Sequence, residues 1–124
     1  MKGVYVLYVE LNRDMNIRVG SIGQLSLKKG FYAYVGSAMN SLSGRIMRHL
    51  RKDKKIHWHI DYLLARGKIT AIHIRPSGKK EECAIAQKFA ARFHGIVNFG
   101  CSDCKCASHL FYSENLDDLR NWVQ

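Results

Sequence analysis

The sequence predicts a single α+β (α/β) domain: a small, mixed, largely antiparallel β-sheet flanked by helices. Three observations predict it. Residues 3–11 and 31–36 carry apolar and aromatic side chains on both faces of a period-two pattern, as expected of strands covered on both sides. Apolar rows at helical spacing follow at Leu42, Ile46 and Leu50 and again at Ile85, Phe89 and Phe93. The elements run strands, two helices, strand, helix, then a short strand and helix, an order that suits one sheet.

In the first strand, Gly3 to Leu11, Val4, Val6 and Tyr8 fall on one face and Tyr5, Leu7 and Val9 on the other. Asn12-Arg13-Asp14 makes a turn. Met15 to Ile22 reads as a second strand closed by Gly23, and Leu25-Ser26-Leu27 as a short bridge or ribbon. Gly30 opens the aromatic strand Phe31 to Gly36, and early strands joined by tight turns pair antiparallel. A helix is expected from about Leu42 to Lys52, with Leu42, Ile46 and Leu50 facing the core and Arg45, Arg48, His49 and Lys52 together on a neighbouring face. His57 to Ala65 reads as a second helix stopped by Gly67. Lys68 to Arg75 alternates as a strand ended by Pro76-Ser77-Gly78. Lys80 to His94 reads as a third helix, with Ala86 and Ala90 beside its apolar row and Gly95 as its cap. A Cys-rich loop, Gly100 to Ser108, leads to a short strand at His109 to Tyr112, and Asn115 can cap a last helix from Leu116 to Val123.

The chain has 124 residues, enough for one core, so residues 1–124 form one domain. A hydrophobic fraction of 47% and a charged fraction of 24% exclude a disordered chain. No apolar run approaches the ~20 residues that span a bilayer, and nothing at the N-terminus resembles a secretory signal. The expectation is a cytoplasmic protein with no membrane partner and with reduced thiols. Twenty Lys and Arg against ten Asp and Glu give a formal charge of +10, which favours a polyanion, nucleic acid first. The charge is densest at Arg45, Arg48, Arg51, Lys52, Lys54 and Lys55, against Asp53 alone. With His49, His57 and His59 this stretch is a candidate phosphate-contacting surface.

Gly3-Val4-Tyr5 and Tyr34-Val35-Gly36 resemble the paired tripeptides of GIY-YIG nucleases. The closer resemblance is to a mostly archaeal subfamily catalogued as a domain of unknown function, DUF123, grouped with GIY-YIG proteins and also found fused to endonuclease III-like repair enzymes. It rests on Tyr34-Val35-Gly36-Ser37-Ala38, Arg48-His49-Leu50, His57-Trp58-His59-Ile60-Asp61-Tyr62-Leu63, Glu82-Cys83 and the run from Ser102 to Leu110. The resemblance implies a divalent-metal-dependent endonuclease acting on DNA, in preference to RNA, in a repair setting and beside a repair enzyme. It places Arg45 on the phosphate, with His49 one turn later assisting, and Glu82 on Mg²⁺ or Mn²⁺. The sequence departs from the typical pattern in length: 28 residues separate Tyr5 from Tyr34, so an extra strand or ribbon is expected between the motifs.

Phosphodiester hydrolysis needs an activated water, positive charge on the transition state and help for the leaving oxygen. Tyr5 and Tyr34 on adjacent strands can hold the water, or accept its proton if cations or a metal depress their pKa. Arginine offers phosphate a fixed fork, and a carboxylate suits Mg²⁺. Glu82 lies in the apolar stripe of its helix, directed at the body of the protein, where a carboxylate is costly unless paired or metal-bound; a first-turn glutamate favoured by the helix dipole is the alternative. Gly36, Ser37, Arg48, Arg51, Lys52, His57, Trp58 and Asp61 complete the candidate substrate-binding set. His57 and Asp61 are four residues apart, so the carboxylate can orient the imidazole as a base or DNA contact, or the two form a plain helical pair. Cys83, Cys101, Cys104, Cys106 and His109 could hold Zn²⁺, form a disulfide or remain thiols. The alternative function is a non-catalytic, basic nucleic-acid-binding module that keeps the fold without cleavage.

Overall fold

The structure is a computed structural model and describes residues 1–79, 81–101 and 104–122. Lys80, expected to begin the third helix, Val123, expected to end the last, and Ser102 and Asp103 of the Cys-rich run lie outside the described residues.

The sequence's period-two segments become β1 (Gly3–Leu11), β4 (Gly30–Ala38), β5 (Lys68–Pro76) and β7 (Leu110–Ser113), joined by a two-residue β6 (His94–Gly95). They form a five-stranded sheet in the order β5-β1-β4-β7-β6, with every described pairing antiparallel. β1 and β4 pair without a break from Gly3↔Ala38 to Leu11↔Gly30. Between them stands a separate two-stranded ribbon, β2 (Met15–Val19) and β3 (Gly23–Leu27). The expected second strand therefore stops at Val19. A 3₁₀ turn over Gly20–Ile22 reverses the chain, and Gly23 begins β3 rather than closing β2.

Both faces of the sheet are covered, as the doubly apolar β1 requires. Tyr5, Leu7, Val9, Tyr32 and Tyr34 pack under the ribbon, α1 (Leu42–Leu50) and α2 (His59–Leu64). Val4, Val6, Tyr8, Ala33 and Val35 pack against α3 (Glu82–Ala90) and α4 (Leu116–Trp122). Asn115 Oδ1 accepts the Asp118 amide 3.2 Å away and caps α4. No helix among the described residues is long and apolar enough to cross a membrane.

Three helices differ from expectation. α1 buries Leu42, Ile46 and His49, not Leu50, which is 53% exposed. Spacings of seven and eight both return to the same stripe, and the chain turns extended at Arg51, so His49 takes the inner position. His49 therefore leaves the basic face. α2 starts two residues late, because the Asp61 carboxylate reaches back to the amides of His57 (2.9 Å) and Trp58 (3.0 Å) and fixes the helix start there. α3 ends at Ala90, which is exposed. Gly95 is not its cap but a residue of β6, paired with Phe111.

Candidate functional site

The C-terminal end of β4 and the start of β1 open a cleft of about 530 Å³ between the first turns of α2 and α3. Antiparallel pairing sets Tyr5 opposite Gly36 and Tyr34 opposite Leu7, on the same face and diagonal to each other. Their ring centroids are 6.5 Å apart, so the two tyrosines meet despite the 28 intervening residues. Gly36 is dictated by this meeting. A Cβ there would stand 2.5 Å from the Cζ and hydroxyl of Tyr5, so only glycine lets the ring lie across β4.

Arg45 enters the cleft from α1. Its Nη1 donates to the Ser37 carbonyl (2.9 Å), and its guanidinium lies 4.4 Å from the Trp58 ring centre. Arg48 lies 4.2 Å from the same ring. Trp58 thus meets two cations, contacts that help orient both guanidiniums. Glu82, first residue of α3, is 29% exposed at the side chain. It accepts the Ser37 hydroxyl at 2.9 Å. Tyr5, Tyr34, Arg45 and Glu82 therefore line one cleft, with Gly36, Ser37, His57 and Trp58 around them.

The protonation states follow from burial. Burial pushes the Tyr5 hydroxyl up to about 12, against the lowering pull of Arg45, and Tyr34 is raised well above its ordinary value for the same reason. The cationic surroundings thus do not depress either tyrosine, contrary to the route by which a tyrosine would itself become the base. His49 lies at the foot of the site, outside the cleft wall, and burial lowers its pKa to about 4. The Tyr5 hydroxyl and His49 Nε2 stand 2.8 Å apart and share a hydrogen bond whose direction is set by the tautomer of the neutral ring. His49 Nδ1 has no partner among the described residues.

Four expected contacts fall elsewhere. Asp61 is fully buried and offers substrate nothing: it takes both Arg48 nitrogens at 3.0 Å and the two backbone amides described above. It does not orient the His57 imidazole, because His57 precedes the helix and meets Asp61 through its backbone amide. Arg48 is spent on Asp61 and on the Lys55 carbonyl (3.0 Å), behind Trp58 rather than in the cleft. Arg51 and Lys52 are exposed beyond the end of α1 and do not line the cleft. The sequence placed His59 in the phosphate-contacting stretch and did not single out Asn40. Both line the cleft, and His59 Nδ1 accepts the Gly100 amide at 2.9 Å. Because Nδ1 accepts an N–H, Nε2 carries the proton of the neutral ring, and burial lowers the His59 pKa. The signal for His59 was its place beside Trp58; Asn40 gave none beyond the loop before α1.

At the α3 side of the cleft, Cys83, Cys104, Cys106 and His109 bring their ligand atoms within 4.8 Å of one another, and the group could hold a metal such as zinc. His109 Nε2 lies 3.3 Å from Cys104 Sγ and 3.9 Å from Cys83 Sγ. Cys101 is not among them; its thiol donates to the Phe99 carbonyl at 3.3 Å. All four cysteines are free thiols, and burial, then the neighbouring thiols, pushes Cys83 up to about 12.

Residues 4–124 match the family described as Domain of unknown function DUF123. The chain belongs to the DUF123 family. No curated protein and no solved structure gives a significant match to this DUF123 domain.

Proposed function

We propose that this DUF123 domain is a GIY-YIG-type, divalent-metal-dependent endonuclease that hydrolyses DNA phosphodiester bonds, in keeping with a repair setting. One observation carries the reading: Tyr5, Tyr34, Arg45 and Glu82, from four different elements, line a single cleft.

Arg45 would hold a non-bridging phosphate oxygen, because its other nitrogens are oriented by Ser37 and Trp58. The Glu82 carboxylate fits Mg²⁺ or Mn²⁺. It is an oxygen donor at the mouth of a cleft, partly exposed, with room for the waters these ions keep. Such an ion would supply charge neutralisation at the phosphate and the leaving oxygen. Tyr5 stays neutral and, with His49 in the tautomer that carries its proton on Nδ1, acts as a relay: its oxygen takes the proton leaving the attacking water while its own proton passes to His49 Nε2. Tyr34 positions that water from the adjacent strand. The +10 charge supports a nucleic-acid substrate, with the exposed Arg51 and Lys52 extending the basic surface beyond the cleft.

The test is Glu82→Gln, which keeps shape and removes the charge that would hold the cation. Cleavage of branched or flap DNA in Mg²⁺ or Mn²⁺ should fall roughly a hundredfold or more, with DNA binding retained. A wild-type protein that binds DNA and RNA yet cuts neither with any divalent ion would establish the non-catalytic binding module instead.

A further inference from the structure

We propose that Cys83, Cys104, Cys106 and His109 bind one Zn²⁺ in a closed, non-catalytic centre, and that this centre is the clamp that holds Glu82 in the cleft. The first half stands on the geometry of the four residues alone; the second rests on the nuclease reading of Glu82.

The donor set fits zinc. Three sulfurs and an imidazole nitrogen are a Cys₃His set, and four protein ligands fill a tetrahedron with no position left for water or substrate. The largest spread of 4.8 Å needs to close by only about 1 Å to reach the edges of a tetrahedron built on Zn–S bonds of ~2.3 Å. The ring of His109 is already set for the task. Its Nδ1 lies 3.1 Å from the Val35 carbonyl, so Nδ1–H donates there and Nε2 keeps its lone pair on the thiol side. That is the outer hydrogen bond by which metal-binding histidines fix their tautomer. Gln87 Nε2 stands 3.9 Å from Cys106 Sγ, a donor for a thiolate. Binding would displace three thiol protons to solvent and leave three thiolates on one dication, a net charge of −1 that Gln87 partly offsets.

The ligands come from separate parts of the chain. Cys83 is on the first turn of α3, whereas Cys104, Cys106 and His109 precede β7. A zinc ion therefore fastens the start of α3 to the segment that feeds the sheet. Glu82 is the residue beside Cys83, and its Oε2 is 3.5 Å from His109 Nδ1. The clamp fixes the carboxylate through both neighbours without touching substrate, so Zn²⁺ and the catalytic cation have different jobs.

The experiment uses the full chain purified under reducing conditions without added metal. About one zinc per chain is expected. It should be retained by Cys101→Ser and lost by Cys83→Ser and Cys104→Ser. Because those variants could fail to fold, wild type is also stripped with a zinc-selective chelator and refilled with Co²⁺. Thiolate-to-cobalt charge transfer and intense visible bands of a tetrahedral site are expected. Absence of zinc with no such Co²⁺ spectrum overturns the site, as does a disulfide detected by a mass two hydrogens lower. Zinc lost in Cys101→Ser overturns the ligand assignment. For the clamp, Mn²⁺ affinity measured by electron paramagnetic resonance should weaken roughly tenfold or more on stripping, the scale of losing a positioning contact. Unchanged Mn²⁺ affinity overturns the clamp while leaving the zinc site. Wild type that holds zinc but cuts no DNA sinks the nuclease reading and the clamp that rests on it while leaving the zinc site, and zinc-free protein that cuts DNA sinks the zinc site and the clamp while leaving the nuclease reading.

Discussion

Replacing Asp61 by Asn tests how the cleft wall is built. The wild-type carboxylate is 0% exposed, pairs with both terminal nitrogens of Arg48 at 3.0 Å, and accepts the amides of His57 and Trp58. An asparagine has the same size but must turn its NH₂ either on Arg48 Nη1 or on Arg48 Nη2 and the two amides together, so at least one donor meets a donor. Arg48 loses its charge partner either way. Breaking a buried pair costs about 3–5 kcal/mol, and Arg48 at 21% exposure recovers some hydration, so the lower end, about 3 kcal/mol, is expected. For a chain of this length that is a fall in Tm of about 10–15 °C, measured by calorimetry or by urea unfolding at pH 7. The carboxyl also sets a pH signature. Burial alone would raise its pKa, but the Arg48 hydrogen bonds and the two amides outweigh it, and the folded value lies below the ordinary 3.8. Its stabilisation is therefore complete above that ordinary value and is lost as pH falls through the folded one; Asp61→Asn should lack this acid limb. A variant within about 1 kcal/mol of wild type at pH 7 would refute the reasoning, since it would mean that Arg48 and the α2 start are held by something else.

Gly36→Ala should drive Tyr5 off β4, costing about 1–3 kcal/mol of stability and roughly a hundredfold in cleavage, with DNA affinity as the unaffected control. His49 is buried neutral, with a pKa of about 4 against an ordinary 6.5, so the unfolded chain takes up its proton first. Stability should thus fall by a few kcal/mol as pH drops from about 6.5 to 4, and His49→Gln should flatten that limb while leaving the Asp61 limb below it. On duplex DNA, Arg51→Ala with Lys52→Ala should make the slope of log K against log salt shallower by about 1.8; an unchanged slope would remove these residues from the binding surface.

The strands were legible because two-sided apolar alternation survives any register. β1 has the bounds read from sequence, and the extra ribbon between the motifs is present as expected. The diagonal contact of Tyr5 with Tyr34 follows from those two strands once they pair. What sequence could not rank was the choice between equivalent partners. His49 and Leu50 lie on either side of two turns from Leu42, both within the width of an apolar stripe, and the end of α1 decides which goes inward. Asp61 had a histidine at helical spacing, yet its partner is Arg48, 13 positions earlier, brought there by the turn between two helices. The metal quartet was legible as chemistry but not as membership. Cys101 is the nearer neighbour in sequence, whereas Cys83 arrives through the packing of α3 beside β7.

The ribbon between β1 and β4 has a consequence for how such domains diversify. Residues 12–29 would form a long excursion between paired strands, but β2 and β3 pair with each other and bury Met15, Ile17, Val19 and Leu27 over the sheet. The insertion is therefore part of the roof over the sheet. Its apolar side has become structural for α2, which packs on β2, while its tip at Gly20–Ile22 has no buried residue. Cutting the chain back to a short hairpin would uncover the core, whereas at the tip only the exposed Ser21 is free of such a role, since Ile22 packs on the core and Gly20 and Gly23 take positive φ. Variation along this segment is thus steered to one corner, away from the pairing that brings the two tyrosines together.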